Sequence, residues 1–278
     1  MIGVHIDSNI HNILDEAIKY KNLGCNLLQL FVNPSHNNIN DNGETKELYD
    51  IFRAYVKKEN IKIVVHISYT INCAQHWTEQ SWWIIQFIRE IELAHNLGAF
   101  AVIIHLGKLL DLTKEEGINN MFTSLLYVHQ KTKHTGIKIL IETSTGQGTE
   151  MAYKIDDLAY LYRKFSKHKN DEIRERFGIC MDTCHVFAAG YDISTKDKTK
   201  IFIDLLEETI GLRHIKLIHM NDSKKPLGSH VDRHATIGKG YIGDEALMFI
   251  QRFFQKINVP IILETPSKDH EKEIVMLL

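Results

Sequence analysis

Short apolar runs rich in Ile and Val recur along the whole chain. They cover residues 2–6, 26–31, 62–66, 101–105, 138–142, 178–182, 214–219 and 259–264. Most are apolar almost without interruption, the pattern of strands buried on both faces of a parallel sheet. Longer segments with apolar positions three and four apart lie between them, at 10–23, 46–59, 79–97, 115–133, 155–169, 200–211 and 244–256. In 79–97, Trp83, Ile84, Phe87, Ile91, Leu93 and Ala94 make one stripe, as on a helix that buries a single face. Gly24, Gly98, Gly136 and Gly211 stand where helix C-caps belong. A short last helix is expected over 268–278. No Pro- or Ser-rich linker divides the chain. The simplest architecture is one (β/α)8 TIM barrel, a single domain over 1–278, with a doubly wound sheet as the alternative.

Composition narrows the class. The chain has 278 residues, 44% of them hydrophobic and 24% charged, with 16 Gly and 4 Pro. That excludes collagen, low-complexity disorder and a disulfide scaffold. No apolar run reaches the roughly 18 residues of a membrane span, so no membrane association is expected. The start Met1-Ile2-Gly3-Val4-His5 lacks a basic segment followed by an apolar one, and no signal peptide is expected. Cys25, Cys73, Cys180 and Cys184 are few and unevenly spaced. Reduced thiols and an intracellular location follow: cytoplasm or nucleus, or a virion if the source is viral.

The last residues of the strands carry the chemistry. Six successive strands end on His66, His105, Glu142, Asp182, His219 and Glu264. In a barrel such positions converge on the C-terminal face, where active sites are built. His185 follows Asp182 by three residues. Asp232 and His234 have i, i+2 spacing, so in extended backbone both point the same way. These nine side chains are too many for one tetrahedral ion. Imidazole mixed with carboxylate favours Zn, Mn or Fe, and carboxylates can bridge. Clusters of that kind stabilise both the attacking and the leaving oxygen of a phosphoester. The net charge of −2 alone argues against a nucleic-acid binder. Three divalent ions would turn it to about +4, and the loaded face would attract a phosphodiester.

The motifs that carry a resemblance are long. They are His66-Ile67-Ser68-Tyr69-Thr70-Ile71-Asn72, Glu142-Thr143-Ser144-Thr145-Gly146-Gln147-Gly148 and Asp182-Thr183-Cys184-His185. To these add His219-Met220-Asn221-Asp222-Ser223-Lys224, Gly228-Ser229-His230-Val231-Asp232-Arg233-His234 and Leu263-Glu264-Thr265. In this order the chain resembles the endonuclease IV family, the zinc-dependent apurinic/apyrimidinic endonucleases, from about residue 1 to 266.

The resemblance implies a TIM barrel with three zinc ions, Mn2+ being the expected substitute. His66, His105 and Glu142 would hold one ion, and Glu142, Asp182, His219 and Glu264 a second. His185, Asp232 and His234 would hold the third, and Glu142, Asp182 and Glu264 would be the catalytic carboxylates. It further implies a monomer that cuts double-stranded DNA 5′ to abasic sites and also trims blocked 3′ ends. The cut would leave a 3′-hydroxyl and a 5′-deoxyribose phosphate. Tyr69, His36, Asn72, Lys224 and Arg233 are the expected DNA contacts. His36 and His230 stand where the family commonly carries Arg. The alternative is a metal-dependent sugar isomerase or epimerase of the same barrel type, which usually lacks the Asp232–His234 pair.

Overall fold

A computed structural model describes residues 1–6, 9, 11–32 and 44–278 of the chain. Eight parallel strands close into a barrel. Going round it, they are β1 (Ile2–His5), β2 (Leu27–Phe31), β3 (Lys62–His66), β4 (Ala101–Ile104), β5 (Lys138–Glu142), β6 (Phe177–Asp182), β7 (Ile215–His219) and β10 (Ile261–Leu263). Two two-residue strands, β8 (Asp222–Ser223) and β9 (His234–Ala235), form a separate antiparallel ribbon. The closed ring excludes the doubly wound alternative.

The helices on the outside are α1 (Ile13–Asn22), α2 (Glu44–Lys58), α3 (Trp82–Asn96), α4 (Lys114–Thr132), α5 (Ile155–Ser166), α6 (Asp171–Arg176), α8 (Lys196–Thr209), α9 (Asp244–Lys256) and α10 (His270–Leu277). A six-residue helix, α7 (Thr183–Ala188), starts directly at the end of β6. The expected helix over 155–169 ends at Ser166, and a second, short helix that was not expected follows it from Asp171. Asn170 caps the second by accepting from the Glu172 N–H at 2.9 Å, which ends the first turn and starts another. The expected helix over 200–211 starts earlier, at Lys196. There the Thr195 hydroxyl accepts from the Lys198 N–H, a cap that replaces apolar periodicity as the start signal.

Two apolar layers hold the barrel. The inner one is a plug of Leu27, Val64, Ala101, Ile103, Leu140, Cys180, Leu217 and Ile262. The outer one lies between strands and helices and contains the fully buried Tyr20, Phe52, Phe87, Tyr162, Phe165 and Phe254. Each of these aromatics contributes roughly 2–3 kcal/mol by leaving water. β1 approaches β2 so closely that a Cβ on Gly3 would lie 2.0 Å from the Leu27 carbonyl oxygen.

Strand parity then fixes the site. Inward-facing residues alternate with outward ones along a strand. One step of two residues beyond the apolar plug, toward the C-terminal ends, lie Gln29, His66, His105, Glu142, Asp182, His219 and Glu264. His5 occupies the same layer on β1, two residues after Gly3. Every strand of the barrel therefore places a polar side chain in one layer above a greasy floor.

Candidate metal centre

Glu142 stands at the middle of that layer, with 1% of its surface exposed. Its Oε2 lies 3.2 Å from His66 Nε2 and 3.3 Å from His105 Nε2. Its Oε1 lies 2.8 Å from His219 Nδ1. Burial opposes the Glu142 charge, but His105 and His219 outweigh it and hold the carboxyl well below its ordinary range. Three imidazoles around one buried carboxylate is an arrangement that binds cations.

Asp182 is fully buried and uses its two oxygens differently. Oδ1 accepts from the His185 N–H at 2.9 Å and so caps α7. Oδ2 accepts from Asn221 Nδ2 at 2.7 Å and lies 3.6 Å from His234 Nε2. This cap explains why the segment after Asp182 is helical, and the helix is what turns His185 into the site. Burial, opposed by His185 and His234, raises the Asp182 carboxyl. Burial also acts on Glu264, but there His219 wins and brings the group down to about 2.

Asp232 and His234 arrive on the loop that the β8–β9 ribbon organises. Asp232 Oδ2 lies 3.2 Å from His185 Nε2, and Oδ1 lies 3.1 Å from His234 Nε2. Both of those imidazole nitrogens are buried and make no hydrogen bond. Their partner nitrogens are already committed: His185 Nδ1 donates to the Thr143 carbonyl at 2.8 Å, and His234 Nδ1 donates to the Glu264 carbonyl at 3.2 Å. His66 repeats the pattern, its Nδ1 donating to the Ile67 carbonyl at 2.8 Å. Each neutral ring thus turns the Nε2 lone pair toward carboxylate oxygens. Acceptor facing acceptor is repulsive unless a proton or a cation sits between. In the metal-free chain a proton takes that place. Burial opposes the imidazolium, but Asp182 and Asp232 raise His234 to about 9 and His185 well above its usual value.

Divalent ions fit this donor set. His66, His105 and Glu142 bring their ligand atoms within 4.8 Å of one another. So do Glu142, Asp182, His219 and Glu264, and so do His185, Asp232 and His234. Glu142 is common to the first two groups. Cys180 and Cys184 also come near, Cys180 beside Glu142 and His219 and Cys184 beside Asp182 and His234. Both are buried free thiols, pushed by burial up to about 12, so nitrogen and oxygen outcompete them as ligands.

Several polar residues that strand-end reading does not single out frame the cluster. Thr143 accepts from the Asp182 N–H through its hydroxyl at 3.0 Å. Asn221 donates to Asp182 and accepts from the Glu264 N–H at 3.0 Å. Gln29 reaches His5, His219 and Glu264. Burial lowers His5 to about 4. The signal for these two in the sequence is parity: Gln29 and His5 share the inward register of the strand-end residues.

The expected DNA contacts are placed differently from one another. Tyr69 is 76% exposed on the loop after β3, its ring 6.3 Å from that of Phe31. Lys224 and Arg233 are exposed on the β8–β9 loop. Asn72 is half-buried and bonded to backbone. Its Oδ1 accepts from the Lys108 and Ala74 N–H groups, and its Nδ2 donates to the Lys108 carbonyl. Its amide braces two loops together. His36 lies outside the described residues. His230 donates to the Thr145 carbonyl at 2.7 Å from a backbone with φ 53°, which ties its loop to the one after β5.

The Tyr69 loop is anchored by a buried acid. Glu90 on α3 is fully buried, accepting from the Ser68 N–H at 2.9 Å and from Gln86 Nε2 at 2.7 Å. Burial outweighs these bonds and raises the carboxyl from 4.5 to about 7. Between those pH values the folded chain holds a proton that the unfolded chain has lost. Stability from this group is therefore full below about pH 4.5 and is lost as pH rises through 7, by roughly 3 kcal/mol. Urea unfolding of the parent and of Glu90→Gln from pH 4.5 to 8 should show the parent losing roughly 3 kcal/mol more stability than the variant across that range. Equal slopes would contradict it.

Comparison with known proteins agrees with this geometry. The family described as "Xylose isomerase-like TIM barrel" matches residues 18–276. The chain is 34% identical over 288 residues to "Probable endonuclease 4" of Mycoplasma mobile, covering 100% of this chain and 97% of that one. It is 38% identical over 222 residues to "Apurinic-apyrimidinic endonuclease 1" of Schizosaccharomyces pombe, covering 78% of this chain and 62% of the other. The crystal structure of endonuclease IV from Thermus thermophilus superposes with a TM-score of 0.73 at 24% identity, over 99% of this chain and 96% of that one. Matched by that family over residues 18–276 and 34% identical to an endonuclease 4 relative over 97% of that relative's length, the chain belongs to the endonuclease IV family of xylose isomerase-like TIM barrels.

Proposed function

We propose that this protein is a metal-dependent endonuclease of DNA repair that hydrolyses the phosphodiester 5′ to abasic sites in double-stranded DNA. The observation that carries the reading is the set of three ligand groups gathered in the polar layer and at its rim, two of them joined by Glu142. His66, His105 and Glu142 hold one zinc ion; Glu142, Asp182, His219 and Glu264 hold a second; His185, Asp232 and His234 hold the third, with Mn2+ as a substitute. Bound ions of this kind neutralise phosphate charge and make water nucleophilic near neutral pH.

The residues themselves do the rest. Glu142 and Asp182, both buried, and the half-buried Glu264 supply three negative charges that would hold the cations. The greasy plug below them keeps bulk water out of the barrel. Tyr69 stands clear of the surface, where it can enter a stack that has lost its base, and an abasic nucleotide costs less to extrude than an intact one. Lys224 and Arg233 lie where phosphates would pass. The products are a 3′-hydroxyl and a 5′-deoxyribose phosphate, and the same centre trims blocked 3′ ends. The chain acts as a monomeric single domain.

The group formed by His185, Asp232 and His234 separates this reading from a sugar isomerase, which needs one or two ions. Elemental analysis of the purified protein should find close to three zinc per chain, and Asp232→Ala close to two. The same variant should lower abasic-site cleavage about 100-fold, an effect of the size seen when one transition-state contact is lost. One or two ions in the parent, with turnover of ketoses, would overturn the nuclease.

A further inference from the structure

Two of the eight strands place no candidate ligand in the polar layer. β1 contributes His5 and β2 contributes Gln29, a side chain with 0% of its surface exposed in the middle of a strand. A buried primary amide is costly unless it is hydrogen-bonded, and Gln29 is bonded at both ends. Its nitrogen donates to Glu264 Oε1 at 2.5 Å. A carboxylate only accepts, so the amide cannot be turned the other way round. The second N–H of the same nitrogen goes to His5 Nδ1 at 2.9 Å. The amide oxygen therefore faces His219 Nε2, at 2.8 Å, and that nitrogen must carry the proton. His219 Nδ1 is left with a lone pair directed at Glu142 Oε1, 2.8 Å away, and Glu264 Oε2, 3.2 Å away.

We propose that Gln29 is a positioning residue that fixes the tautomer of His219, so that this imidazole binds its ion through Nδ1 while His66, His185 and His234 bind through Nε2. The inference rests on reading the cluster as a metal centre. The other three rings are fixed by backbone carbonyls that accept from Nδ1. Among the described residues no backbone carbonyl does this for His219; a side chain from the neighbouring half of the barrel does so instead. The same amide restrains Glu264, so one residue orients two ligands of the second ion.

The test uses the whole chain labelled with 15N-histidine and loaded with 113Cd, read by 113Cd–15N coupling, with cadmium affinity measured by chelator competition. The parent should couple to His219 through Nδ1. Gln29→Met should move or abolish that coupling and weaken one bound ion by about 10- to 100-fold, the usual effect of removing a residue that orients a metal ligand. The remaining ions should keep their affinity. Gln29→Glu should keep the Nδ1 coupling, because an oxygen still accepts from His219, yet bind that ion more weakly through the lost donor to Glu264. Coupling through Nε2 in the parent or in Gln29→Glu, or a Gln29→Met chain unchanged in coupling and affinity, would overturn the inference. No DNA is involved, so a failed cleavage assay leaves the result standing. A parent that binds no cadmium overturns the metal reading and this inference together.

Discussion

Glu142→Gln should lower abasic-site cleavage by about 1,000-fold, or ~4 kcal/mol of transition-state stabilisation. Of the three groups assigned to ions, the first two share a single residue, Glu142. Its oxygens face His66 and His105 on one side and His219 on the other. An amide of the same shape has one acceptor oxygen and no charge. Its NH2 group would point at imidazole lone pairs or at a cation. The plug beneath is unaffected, so the variant should remain folded, with ion content and cleavage falling together. A Glu142→Gln protein that cleaves within tenfold of the parent would show that the two ion groups are not joined through this residue.

The largest effect on stability is expected at Asp222. This carboxylate is fully buried on β8 and accepts from five backbone N–H groups. Gly238, Gly240 and Gly243 give theirs to Oδ2, at 3.0, 3.0 and 3.3 Å. Ser223 and Ile242 give theirs to Oδ1, at 2.8 and 2.9 Å. The loop wraps so tightly that a Cβ on Gly240 would lie 2.4 Å from Oδ1. Asp222→Asn would aim an NH2 group at N–H donors and remove the charge that strengthens all five bonds. We expect a loss of about 3–5 kcal/mol. A fall in Tm of roughly 10 °C follows for a chain of this size. Because β8 pairs with β9, where His234 sits, the variant should also lose zinc from the third group first. A Tm within about 2 °C of the parent, less than 1 kcal/mol would produce, would contradict the anchor.

Much of the barrel was legible because parallel strands advertise themselves. Runs such as Lys138–Glu142 and Lys62–His66 are apolar between their first lysine and their last residue, and that last polar residue is the one facing the layer. Parity and strand direction together predict that the strand-end residues converge, and the structure brings all nine candidate ligands into that layer and its rim. What the pattern missed is short or capped. α7 is six residues long and owes its start to the Asp182 side chain, and β8 and β9 are two residues each. None of these is long enough to show a period.

The supporting polar residues were less legible for a different reason. Thr143 and Asn221 are not metal-ligand types and only their hydrogen bonds reveal them, whereas Gln29 carries the inward parity of the strand-end residues without being a ligand type. Asn72 shows the converse. The resemblance alone offers it as a DNA contact, and the structure adds that its amide is bonded to the backbone of Lys108 and Ala74. Cross-loop bonds of this kind depend on two segments 36 residues apart, a distance over which a single sequence carries no periodicity.

The measurement that bears most directly on the account is incision of an end-labelled duplex with one abasic analogue, beside an undamaged control, by zinc-loaded protein. The account predicts a single cut immediately 5′ to the lesion, a 3′-hydroxyl on the labelled fragment, an intact control strand, and loss of the cut after chelation. No cut from folded protein carrying its full complement of zinc, or equal cutting of both duplexes, would contradict it.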